Sequence, residues 1–163
     1  MEWENRPVEV ANLLNPAFCA VVIFEAASSY QKELESSLPY SLSYLVLPLV
    51  LHENTRSRLP STTRTKMHSW IRDNADLRIG FAERTRQMQP YTKDSLLFGM
   101  TMGIFGVDEQ IGTINIYQNR LKRPKWKSGT ETDACVKKSA LLGKWFALTG
   151  EPTTIFAMWG IRP

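Results

Sequence analysis

The sequence predicts a mainly α-helical fold with an embedded winged helix-turn-helix, and three observations carry that prediction. The first is the stretch 89–117, QPYTKDSLLFGMTMGIFGVDEQIGTINIY, in which a helical pattern runs straight into two β-type runs. The second is a pair of shorter amphipathic patterns just before it, so that three helices and a hairpin follow one another over residues 61–117. The third is composition. With 163 residues, 43% of them hydrophobic and 22% charged, the chain is long enough for one domain with a real core and is not disordered.

Within the central stretch, Thr92 suits an N-cap, and Asp94 places a carboxylate in the first turn, where the helix dipole favours it. Leu96, Leu97, Met100 and Ile104 recur at helical spacing, and Gly103 suits a helix exit. Residues 104–107 and 111–116 are rich in Ile and Val. Asp108, Glu109, Gln110 and Gly112 lie between them, which reads as a hairpin.

Taken from the start, residues 7–14 form a short docked segment. Asn15 followed by Pro16 then opens a helix over 16–35, apolar at first (Ala17, Phe18, Val21, Val22, Phe24) and polar at its end (Gln31, Lys32, Glu33, Glu35). Ser36–Pro39 is a connector. Residues 40–52 carry Leu42, Leu45, Val46, Leu47 and Leu49, with Pro48 expected to kink or stop the element near Leu47. One helical turn over 54–59 ends at Pro60. Met67, Trp70 and Ile71 then mark a helix from Arg64 to Asn74, and a second over 76–88 is set off by Pro90. After a basic loop at 118–129, residues 131–149 are again helical, with Gly150 as C-terminal cap and Pro152 as a stop. The final turn, 153–159, is very apolar. The expected organisation is a single domain over 1–163. Its winged-helix core over 61–117 is wrapped by N-terminal (7–59) and C-terminal (131–163) helical segments.

Catalysis finds little footing. The only histidines are His52 and His68, and there is no GxSxG, HExxH, Gly-rich phosphate loop or Walker lysine. His52-Glu53 reads better as a capping or surface feature than as an acid–base pair. Cys19 and Cys135 stand alone, outside any CxxC or Cys/His cluster, so free buried thiols are expected and no metal or other cofactor. The polar start MEWENRPVE has no apolar signal core, and no apolar run approaches the ~20 residues of a membrane span. A cytoplasmic protein with no membrane contact and no small-molecule substrate is the expectation.

Two surfaces stand out for binding. Arg120, Lys122, Arg123, Lys125 and Lys127 crowd one segment, with Trp126 among them. These are the candidate DNA-binding residues, cations for phosphate and an indole for stacking, the bland reading being a solvated linker. A net charge of +4 is only a mild bias in that direction. The recognition helix itself argues for protein: Lys93 is the only cation between Tyr91 and Gly106, and Asn, Gln and Arg are absent there. Leu97, Phe98 and Met102, together with Phe156 and Trp159 near the end, are the candidate partner-binding residues.

The blocks NRPVEVANLLNPAFCAVVI, LVLPLVLH, GFAERTRQMQPYT and LGKWFALTGEPTTIFAMWGIRP give the chain a resemblance to the middle component of bacterial three-component ABC systems. The resemblance spans nearly the whole chain. It implies a small subunit encoded beside an SMC/Rad50-like ABC ATPase and a variable, often nuclease-like effector. Such gene trios resemble Lamassu-type anti-phage defence. By analogy with the kite subunits of SMC complexes, a winged helix in that setting grips the ATPase or its linker rather than acting as a repressor. The expected function is therefore a non-enzymatic accessory subunit that bridges ATPase and effector and contributes to DNA sensing or effector restraint, with double-stranded DNA met through the complex. The alternative is a stand-alone winged-helix transcriptional regulator.

Overall fold

The computed structural model describes residues 13–162; the docked segment expected over 7–14 falls outside them up to residue 12. The described elements are α1 (Pro16–Leu34), β1 (Leu38–Pro39), α2 (Tyr40–Val50), α3 (Glu53–Arg58), α4 (Met67–Asp73), α5 (Phe81–Thr101), β2 (Phe105–Asp108), β3 (Thr113–Ile116), α6 (Glu131–Thr149) and α7 (Pro152–Met158). The fold is mainly helical, with one small antiparallel sheet.

Helix α1 starts where its local chemistry dictates. Asn15 Oδ1 accepts from the backbone N–H of Ala17 at 2.8 Å and of Phe18 at 3.4 Å, and Pro16 sits in the first turn, where no N–H is needed. From Phe18 to Phe24 every residue is buried, so α1 is the central rod of the core rather than a surface helix. It packs along α6 and also against α5 and α2. The approach to α6 is close because Gly143 faces the backbone of Ala26, where a Cβ would collide with the carbonyl, and Ser139 Oγ donates to the Val22 carbonyl beside it.

The two prolines inside apolar or helical runs behave differently from expectation. Pro48 lies in the last turn of α2, which continues to Val50. Pro90 does not separate two helices: α5 is one helix of 21 residues, and the N-cap expected at Thr92 is instead a buried residue in its middle. Pro90 and Arg86 are both exposed, so the Arg86 carbonyl that loses its helical donor is not stranded in the core. The actual start is Gly80, which adopts φ 71° and breaks α5 from the 3-10 turn Ala75–Arg78.

The hairpin forms as expected. Val107 pairs with Ile114 and Phe105 with Ile116, and the Asp108 carboxylate accepts from the N–H groups of Gln110 and Ile111 at 3.0 and 3.1 Å. Gly112, at φ 76°, completes the turn. A third strand was not anticipated. The connector residues Leu38 and Pro39 pair with Ile114 and Thr113, giving the order β1-β3-β2, and Tyr40 N–H donates to Gly112 O at 2.8 Å. The hairpin is thus extended by the N-terminal segment, and α5 packs on α1 and α2. Within 61–117 the described elements are α4, a 3-10 turn, α5 and the hairpin.

The C-terminal part is closed by an aromatic cluster. Trp70 meets Trp145 edge-on at 5.5 Å and Trp159 at 6.0 Å, and Trp159 lies 4.9 Å from Phe81. Indole N–H groups of Trp145 and Trp70 donate to Thr65 O at 2.9 Å and Arg58 O at 3.2 Å.

Candidate interaction surfaces

The second half of α5 has two sharply different faces. Leu96 and Gly99 turn inward, and Gly99 lies so close to the Phe105 ring that a Cβ would overlap it. Because that stripe is committed to the sheet, the helical period sends Leu97, Phe98, Met100 and Met102 outward, with Leu97 58% and Met102 60% exposed. At the hairpin, Ile111 and Tyr117 are exposed as well. Lys93 and Asp94 are the charged side chains on the exposed part of this half-helix. A face of this composition is suited to another apolar surface and has no donor set for base edges.

Phe156 and Trp159 are not part of any such face. Phe156 is 7% and Trp159 1% exposed, and both belong to the core. Trp159, read from the sequence as partner-seeking, meets the rings that α4 and α5 present to it, and Phe156 is likewise a buried core residue.

The basic segment lies packed against α1. After the 3-10 turn Gln118–Arg120 it runs across α1, held by polar and aromatic contacts. Arg123 Nε reaches Glu25 Oε1 at 3.1 Å, Arg123 Nη2 donates to Ser28 Oγ at 3.2 Å, and Gln118 Nε2 donates to the same hydroxyl at 2.7 Å. Trp126 meets Phe18 edge-on at 5.6 Å, and Leu121 also packs on the core. Of the six residues expected to bind DNA, Arg123 and Trp126 therefore have intramolecular work, while Arg120, Lys122, Lys125 and Lys127 remain exposed. The burial of Glu25 raises its carboxyl above the ordinary value, and the Arg123 charge offsets that only in part.

His52 is a capping residue, as its sequence context indicated. Its Nδ1 lies 2.8 Å from Thr55 Oγ1 and 3.3 Å from Thr55 N, at the start of α3. His68 is exposed on α4. Cys19 and Cys135 are buried free thiols, pushed up to about 12 and about 11 by that burial. Among the described residues no group of three or more His, Cys, Asp or Glu is placed to hold a metal ion, and no helix is long and apolar enough to cross a membrane.

Compared with known proteins, residues 3–163 match the model of the family described as ABC-three component (ABC-3C) system Middle Component 3. No curated protein matches, and no solved structure matches.

Proposed function

The chain belongs to the ABC-three component system Middle Component 3 family, and from that premise we propose that it is a non-enzymatic accessory subunit bridging an SMC/Rad50-like ATPase and a nuclease-like effector. The observation that carries the reading is the outward face of α5, where Leu97, Phe98, Met100 and Met102 are exposed. Burying such a face on a partner removes apolar area from water at about 25 cal/mol per Å2, and the Met side chains adapt to the surface they meet.

In this reading the scaffold is a winged helix-turn-helix turned to protein contact. Its support is the order α1, β1, α2, α5, β2, β3 with α3 and α4 inserted, together with the sheet order β1-β3-β2. Arg120, Lys122, Lys125 and Lys127 form a strip for phosphates, so double-stranded DNA is met by the assembled complex. The anti-phage setting, similar to Lamassu-type defence, rests on the resemblance of the terminal sequence blocks.

The test is co-expression of the tagged chain with its gene neighbours. The large ATPase is expected to co-purify with the unaltered chain and to be lost with the double variant Leu97→Asp, Met102→Asp, which leaves the core untouched. A chain that purifies alone and shifts its own promoter DNA would replace this reading by that of a stand-alone regulator.

A further inference from the structure

Away from α5's outward face, the C-terminal end of α2 opens onto a cleft of about 210 Å3 walled by Leu13, Leu47, Leu51 and Met88, with His52 and Arg84 among its lining side chains. Two guanidinium groups meet that helix end. Arg56 Nη1 donates to Val50 O at 3.0 Å, and Arg84 Nε donates to Pro48 O at 3.2 Å. Arg56 also has a carboxylate, Glu131, at 2.9 Å. Arg84 has none among the described residues: its other contacts are Thr55 Oγ1 at 3.3 Å and the Phe81 ring at 5.2 Å, and its Nη1 makes no hydrogen bond.

Among the described residues the charges do not balance. A helix C-terminus offers about half a negative charge, and Glu131 adds one, against two guanidinium charges, leaving roughly half a positive charge beside an apolar cleft. His52 supplies no anion, since an imidazole is neutral or cationic. It is held toward its neutral form, first by burial and then by the charges of Arg84 and Arg56. A partly buried cation with donors to spare, walled by aliphatic side chains, is complementary to an anion carried on an apolar group.

Volume decides which kind of ligand. Self-standing small-molecule sites run to about 300–1,000 Å3, and this cleft is smaller, with room for an anchoring side chain or two. We propose that the cleft receives an anchor from a partner polypeptide of the complex: an aliphatic side chain adjacent to an Asp or Glu, the side chain lying against Leu47, Leu51 and Met88 and the carboxylate meeting Arg84. The partner is a second contact of the same subunit, distinct from the α5 face, and the inference rests on the accessory-subunit reading.

The test uses the full chain in complex with its co-expressed neighbours. A photo-crosslinking residue, p-benzoylphenylalanine, replaces Leu51, and the adduct is mapped by mass spectrometry. The expected product joins Leu51's position to a partner peptide that contains an aliphatic–acidic pair. Arg84→Gln and Met88→Glu are each expected to weaken the complex about tenfold or more, since one removes the counter-charge and the other repels the carboxylate. Met88 is partly exposed, so its variant keeps the test valid even if Arg84→Gln fails to fold. A crosslink to residues 1–12 of the same chain would overturn the proposal, as would an unchanged affinity in Met88→Glu. In both cases an ATPase that still co-purifies leaves the subunit reading standing. A wild-type chain that recovers no neighbour removes that reading and this inference with it.

Discussion

Arg123 and Glu25, 98 positions apart in the chain, stand 3.1 Å from each other, and that pair converts a run of cations into a strap over α1. Arg123 also lies 5.8 Å over the Phe24 ring, so the guanidinium bridges a carboxylate, a hydroxyl and an aromatic face on the same helix.

Arg123→Ala is expected to lower stability at pH 7 by about 0.5–1 kcal/mol, since the arginine is half exposed and its ion pair is screened. The pH dependence has a definite sign. Glu25 is raised in the folded state by burial, so its contribution is present below the unfolded carboxylate value and is lost as pH rises through the folded one. Removing Arg123 raises Glu25 further, and the loss of stability should therefore be larger at pH 7 than at pH 4. Denaturant melts at the two pH values, with an NMR titration of Glu25, read this directly; equal losses would reject it.

The remaining cations are separable from this strap. Replacing exposed Lys122, Lys125 and Lys127 by Ala should leave the melting temperature nearly unchanged, within ~0.5 kcal/mol in stability. If the strip meets DNA, the slope of log K against log salt for the assembled complex should flatten by roughly two to three units, at about 0.9 per phosphate contact. An unaltered slope would show that the strip only solvates the surface, and a complex that dissociates would assign it to an acidic protein.

Gly143→Ala tests the contact between α1 and α6. Helix propensity alone favours Ala by about 1 kcal/mol. The added Cβ points at the Ala26 backbone, which has no side-chain rotamer with which to move away. Collision should win, with a net loss of about 2–3 kcal/mol. A stabilised Gly143→Ala variant in thermal melts would mean that the two helices sit farther apart than described.

Trp159→Ala should cost about 3–5 kcal/mol, the range for deleting a large buried aromatic residue, because its ring contacts both Trp70 and Phe81 in the core. Leu97→Ala, on the exposed face of α5, should cost little in the isolated chain. Chemical denaturation of the two variants separates core from surface, and comparable losses would contradict this division.

What the sequence determined by itself is local or cumulative. The caps at Asn15 and Gly150, the hairpin around Asp108 and Gly112, the apolar first half of α1 and the family blocks all rest on neighbours a few positions apart or on long stretches of pattern. Tertiary structure decided the rest, because each outcome turns on a contact between distant residues. Pro90 stays inside α5 because its side of the helix is exposed, where a lost backbone bond is cheap, while the buried side docks on α1 and α2. The contacts of Trp126 with Phe18 and of Arg123 with Glu25 join residues about a hundred positions apart, and no local pattern announces them. Phe156 and Trp159 have the same apolar chemistry as Leu97 and Met102, and periodicity within one segment cannot tell a core position from an interface. Only the rings of Trp70, Phe81 and Trp145, converging from three other helices, assign Trp159 to the interior.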